Sequence, residues 1–143
     1  MNKRTFLKAC SAVLTSRVLS PLLTWSSKDK LTNWAGNIEY GTEKLYSAKS
    51  VKDVQDFVRN RNKLKVLGTH HCFNTIADSN SEFLSLKPMD QVVNLDANAK
   101  TVTIESGLSY GQLCPHLDRE GWALHNLASL PHISVAGACS TAT

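Results

Sequence analysis

Leu64-Lys65-Val66-Leu67-Gly68-Thr69-His70-His71-Cys72-Phe73-Asn74 is an apolar run that passes directly into glycine, small polar residues and two adjacent histidines. Its first four residues predict a short buried strand, and the glycine with its polar followers ends that strand in a tight turn. Backbone N–H groups released from a sheet ladder in such a turn are free to point at an anion. A neutral imidazole beside that cradle can attack carbon, bind metal or carry protons. On these residues alone two readings stand: a ligand-binding turn, or a turn whose histidines are half-exposed polar side chains.

The surrounding chain places the turn in a fold. Upstream, Leu45-Tyr46-Ser47-Ala48 predicts a strand. Ser50 with Asp53 three residues later forms a capping-box pattern, and Val51, Val54, Phe57 and Val58 recur at helical spacing. Strand, helix and the Leu64–Leu67 strand make a β-α-β unit that delivers the histidines at a strand's C-terminal end, where open α/β sheets bind ligands. Downstream, residues 76–82 predict a polar loop and Phe83-Leu84-Ser85-Leu86 a strand. Val92–Leu95 and the alternating Thr101–Glu105 predict a hairpin turned by residues 96–100. Ser109 with Gln112 opens a further helix carrying Leu113 and Leu117, and Gly121 stops it. The fold class expected is α+β: a β-α-β unit, then mixed or antiparallel strands, then a helix.

Composition narrows the function classes. The chain has 143 residues and a formal net charge of +4, with much of its surplus of basic residues in the first thirty. No basic stripe is interleaved with aromatics, so no nucleic-acid partner is expected. Cys10, Cys72, Cys114 and Cys139 are far apart without a C-x-x-C pair, which excludes a sequence-evident zinc site or disulfide framework. The basic head Lys3-Arg4-Thr5-Phe6-Leu7-Lys8, followed by an apolar run to Trp25, resembles a twin-arginine export signal with Lys in the first Arg position. Residues 1–30 are therefore expected to be a leader, residues 31–143 the folded domain, and the destination periplasmic or exported. Membrane association, if any, is expected only through the leader.

A second informative stretch closes the chain: Ala128-Ser129-Leu130-Pro131-His132-Ile133-Ser134-Val135-Ala136-Gly137-Ala138-Cys139-Ser140-Thr141. Pro131 stiffens a turn, and Ser134 is placed to cap a short helix. Small residues after it let a ligand, or a packed strand, lie against the backbone.

Together, Leu67–Asn74 and Ala128–Gly137 in this order resemble the N-terminal, PCMH-type FAD-binding domain of the vanillyl-alcohol-oxidase flavoproteins, and within them the alditol and sugar-lactone oxidases. The resemblance runs from about Asn33 to Thr143 and implies FAD as cofactor. It implies cofactor contacts by Gly68, Thr69, His70, His71, Cys72, Phe73 and Asn74 on the first loop. On the second it implies contacts by Ser129, Pro131, Ile133, Ser134, Gly137, Ala138 and Thr141. In this family a histidine of the first loop is often bonded to the flavin 8α-methyl. His71 matches it, with Cys72 where Ser is usual and His70 where a smaller residue is usual. The implied activity is oxidation of a CH–OH group in a polyol or sugar lactone, with O₂ or another acceptor taking the electrons.

The family's catalytic base and substrate contacts come from a second domain, so none is expected in residues 31–143 and no turnover is expected of them alone. Two other readings remain open. One is an exported metal-binding module using His70, His71, His116, His125 and His132, and the other is an inactive fragment.

Overall fold

The computed structural model describes residues 30–142, and the expected leader over residues 1–29 lies outside them. In chain order the elements are β1 (Leu45–Ser47), α1 (Val51–Arg59), β2 (Lys65–Val66), a 3-10 turn (Thr75–Ala77), β3 (Phe83–Ser85), β4 (Val92–Asp96), β5 (Thr101–Ile104), α2 (Tyr110–Arg119) and α3 (Val135–Thr141). The class is mixed α/β, and the β-α-β unit is present in a split form. β1 and β2 are both parallel to β3 and pair with it rather than with each other, in the order β1-β3-β2.

β3 takes the centre because all three of its residues are buried. Alternation along a strand sends Phe83 and Leu84 to opposite faces. Phe83 packs with Tyr40 and Leu67, while Leu84 packs with Ala48 and Phe57. Each such side chain contributes about 1.5–3 kcal/mol on burial.

α1 starts as its sequence dictates. The Ser50 hydroxyl accepts from Asp53 N–H at 3.1 Å, and the Asp53 carboxylate accepts from Lys49 N–H at 3.0 Å, one residue before the cap. Its apolar stripe is narrower than the spacing predicts: Phe57 is buried and Val54 joins the cluster beneath it, but Val51 and Val58 are exposed. Tyr46 and Arg61 cover Phe57 instead, Tyr46 stacked at 4.4 Å and the Arg61 guanidinium 4.6 Å from the ring centroid. Arg61 also forms an ion pair with Glu82.

β4 and β5 form the expected antiparallel hairpin. The Asp96 carboxylate accepts from the N–H groups of Asn98 and Ala99, both at 2.9 Å, which closes the turn. The hairpin's apolar side chains Val92, Leu95, Val102 and Ile104 pack on Leu108, Leu113 and Leu117.

α2 begins with Gln112 Oε1 accepting from Ser109 N–H at 3.0 Å and from its hydroxyl at 2.7 Å. It ends in a Schellman motif. Gly121 takes φ +76°, its N–H donates to Asp118 O at 3.0 Å, and Trp122 N–H donates to Leu117 O at 2.8 Å. Pro115 sits inside the helix, so Gly111 O receives no N–H from that position.

Candidate functional site

β2 runs straight into the histidine turn, and the turn's backbone is left with unspent donors. From Gly68 to Asn74 no backbone N–H finds an acceptor among the described residues. Leu67 N–H, one residue earlier, still pairs with Leu84 O at 2.9 Å. The ladder therefore stops at Gly68, as its sequence predicts, and the following N–H groups are available to an anion.

The carbonyls of the same turn are tied down by a segment that sequence reasoning did not single out. Trp34 N–H donates to His70 O at 2.9 Å, and Asn33 Nδ2 donates to Cys72 O at 3.2 Å. Asn33 is 2% exposed, and its Oδ1 accepts from the N–H groups of Asn37 and Ile38. Short polar side chains between Leu31 and Tyr40 were the available signal, but nothing in their pattern names a partner nearly forty residues away.

The two histidines separate in role. His70 adopts φ +63°, a left-handed conformation that costs any residue with a Cβ, and its Nδ1 lies 2.9 Å from Thr32 O. Tyr40, whose hydroxyl is buried without a partner, meets it edge-on at 6.0 Å. His70 thus fastens the turn to the 31–40 segment. No hydrogen bond holds the His71 ring among the described residues. Its Nε2 is buried and unpartnered, and it stacks on Trp34 at 5.0 Å and lies 4.7 Å from His132. Burial holds the His71 imidazole below the ordinary histidine range, and His132 and His70 push it the same way. An uncharged imidazole with a free lone pair is the nucleophilic form.

The remaining residues of the first loop are placed as follows. Phe73 is exposed and stands edge-on to His71 at 6.4 Å. Asn74 caps the 3-10 turn by accepting from Ile76 N–H at 2.9 Å, and Cys72 Sγ lies 3.2 Å from the same Oδ1.

The second stretch is brought to the first. Thr69 Oγ1 accepts from Ser134 N–H at 3.2 Å, and Ser134 is buried. The unpaired first-turn donors of α2 are spent on this stretch: Tyr110 N–H on Ile133 O at 3.1 Å and Gly111 N–H on Pro131 O at 2.7 Å. Ser129, Pro131 and His132 remain on the exposed side. Gly68 and Gly137 both leave room for one hydroxyl, since a Cβ on either would stand 3.2 Å or 2.7 Å from Ser134 Oγ. Ala138 is buried in the base of α3. Thr141, at its far end, turns its hydroxyl back to Gly137 O and Ala138 O.

A family model described as an FAD binding domain matches residues 43–143. The chain belongs to this FAD-binding family. Alditol oxidase of Streptomyces sp. is 36% identical over 116 residues, covering 79% of this chain and 28% of that protein. L-Gulonolactone oxidase of Mus musculus is 32% identical over 115 residues, covering 78% and 26%. The chain therefore spans little more than a quarter of either of these relatives. Cholesterol oxidase from B. sterolicum, at 19% identity, superposes with a TM-score of 0.66 over 76% of this chain and 22% of that one, which shows a shared fold. The domain is of the PCMH type and its cofactor is FAD.

The residues present fit that cofactor. The unspent N–H groups of Gly68–Asn74 suit a pyrophosphate, and the unpartnered His71 nitrogen suits a ligand atom. Among the described residues no three of His, Cys, Asp and Glu stand together as metal ligands. Also among the described residues, no helix is long and apolar enough to cross a membrane.

Proposed function

We propose that this chain supplies the FAD-binding part of an oxidoreductase acting on a CH–OH group of a polyol or sugar lactone, with the flavin held covalently through His71. The names of the relatives, alditol oxidase and L-gulonolactone oxidase, support the substrate class. Bound FAD supplies the hydride acceptor. The chain's own part would be to hold it: the unspent N–H groups of residues 68–74 would meet the pyrophosphate, and Thr69 locks that turn to the Ser134 loop.

The observation that carries the covalent reading is the contrast between adjacent histidines. His70 is committed to Thr32 O and to a left-handed backbone, whereas His71 keeps an uncharged ring with no hydrogen bond among the described residues. Acid precipitation of the full-length protein tests it. His71→Ala is expected to bind FAD that acid extracts, and His70→Asn, which tolerates the left-handed conformation, is expected to retain acid-stable flavin. Acid-stable flavin in His71→Ala would refute the assignment.

The leader reading for residues 1–30 is proposed on Lys3-Arg4-Thr5-Phe6-Leu7-Lys8. A reporter fused after Lys30 should lose export on combined Lys3→Gln and Arg4→Lys substitution, and equal export would sink the reading.

A further inference from the structure

Trp34, His71 and His132 come from three separate stretches of chain and meet as a triangle of rings. The indole stacks on His71 at 5.0 Å and 25° and on His132 at 5.4 Å and 22°. The two imidazoles lie 4.7 Å apart at 35°. Phe73 adds an edge contact to His71 at 71°.

A side chain with a hydrogen bond is oriented by that bond, as His70 is by Thr32 O. His71 has none among the described residues, and its buried Nε2 is unpartnered. The plane of its ring is therefore set by the rings it touches. Trp34 is itself fixed through its backbone N–H on His70 O. His132 is fixed through its neighbours, because Pro131 O and Ile133 O accept from the first turn of α2. The triangle thus joins two rigid supports around one otherwise unheld nucleophile.

We propose that His132, stacked with the Trp34 indole, is a positioning residue that sets the plane of the His71 ring for its bond to the flavin. The proposal rests on the covalent reading above. Bond formation joins an imidazole nitrogen to the 8α carbon and breaks one C–H and the imidazole N–H. Two protons are released, and the two electrons pass through the flavin to an acceptor such as dioxygen. His132 exchanges no electron or proton in that step. It acts on geometry, and secondarily on charge, because a second imidazole this close disfavours two positive rings. The groups acting on His71 electrostatically are His132, from the segment before α3, and His70, from its own turn. Trp34 and Phe73 are its uncharged neighbours.

The test uses full-length protein produced in riboflavin-starved cells so that it carries no flavin, to which FAD is added while acid-stable flavin is followed over about pH 5.5–8, where imidazole titrates. His132→Ala is expected to bind FAD like the parent but to form the linkage roughly two- to tenfold more slowly, the factor that loss of one aromatic contact corresponds to. The acid limb of its profile is expected to move to higher pH. His132→Phe restores the ring without its nitrogens, so the rate should return towards that of the parent while the limb stays displaced. A merely structural role would move neither the limb nor the split between the two variants.

The Cε1–H signal of His71 in ¹³C-histidine-labelled protein is a second readout that needs no linkage. A parent rate and profile in His132→Ala, or a His132→Phe as slow as His132→Ala, overturns the proposal and leaves the covalent reading intact. If the parent never forms acid-stable flavin, the covalent reading falls. The positioning role is then decided by the signal alone: displacement and a changed titration in His132→Ala support it, and an unchanged signal overturns it.

Discussion

Asn33→Ala probes whether the histidine turn is held from outside. The wild-type amide makes four side-chain hydrogen bonds. Its Nδ2 donates to Asn37 Oδ1 at 2.9 Å and to Cys72 O at 3.2 Å, and its Oδ1 accepts from Asn37 N–H and Ile38 N–H, both at 3.1 Å. A net hydrogen bond contributes about 0.5–1.5 kcal/mol, and a buried group left unpaired costs about 1–3 kcal/mol. Asn37 is exposed and can turn to water, so roughly half of the gross sum is lost, about 1–3 kcal/mol. With a urea slope near 2 kcal/mol/M, the unfolding midpoint should fall by about 0.5–1.5 M.

Asn33→Asp sharpens the test because it keeps the shape and the two accepted bonds. It sets a carboxylate oxygen against Cys72 O or Asn37 Oδ1. Burial and those oxygens make the folded carboxyl harder to ionise than the unfolded one, whose pKa is about 3.9. The folded state then binds the proton more tightly. Stability relative to the parent is greatest below that unfolded value and falls as pH rises through the folded one. A midpoint shift under about 0.3 M for Asn33→Ala, or an Asp variant that matches the parent at neutral pH, would refute the reasoning.

Three further outcomes are expected. Gly107→Ala would press a Cβ onto the carbonyl oxygens of Leu86, Met89 and Lys87, at 2.6 Å for Met89 and 2.7 Å for Lys87. All three are backbone, so it should lower the thermal midpoint by more than Gly121→Ala, which meets nothing and costs about 1 kcal/mol for its positive φ. Equal midpoints would refute the steric argument. Gly137→Ala should destabilise through Ser134 Oγ, 2.7 Å from the added carbon, and Ser134→Ala should relieve it. A double-mutant cycle is expected to give about 1 kcal/mol of favourable coupling, and simple additivity would count against the contact. The His71 Cε1–H resonance should titrate below the ordinary value near 6.5, driven first by burial and then by His132 and His70. Its stabilising contribution is complete above that value and is lost as pH falls through the folded pKa. A midpoint at or above 6.5 would contradict the buried, uncharged ring.

Local signals were legible wherever one residue type meets one backbone need. Ser50 caps α1, Gln112 closes on Ser109, Asp96 turns the hairpin and Gly121 ends α2, each within a few residues of its partner. The α1 stripe is narrower than its spacing implies because helical spacing marks a face without saying how much of it is covered. Val51 and Val58, two turns apart, share one edge of that face, and Val54 and Phe57 reach the sheet. Pairing order was also beyond reach, since Phe83–Ser85 had to be seen between β1 and β2 before its complete burial explained its place.

The sequence by itself determined the turn at Gly68 and the small-residue stretch around Ser134, and its register is what singles out His71 in the proposed flavin bond. These depend on residue type and adjacency. Only the tertiary structure decided that Thr69 joins the two stretches, that Asn33 and Trp34 hold the turn from the other side, and that His132 lies against His71. Those contacts span 36 to 65 residues. A single hydrogen bond or ring contact at that separation leaves no periodicity in the chain, and it forms only once the packing of β3 and the first turn of α2 has fixed where each loop can go.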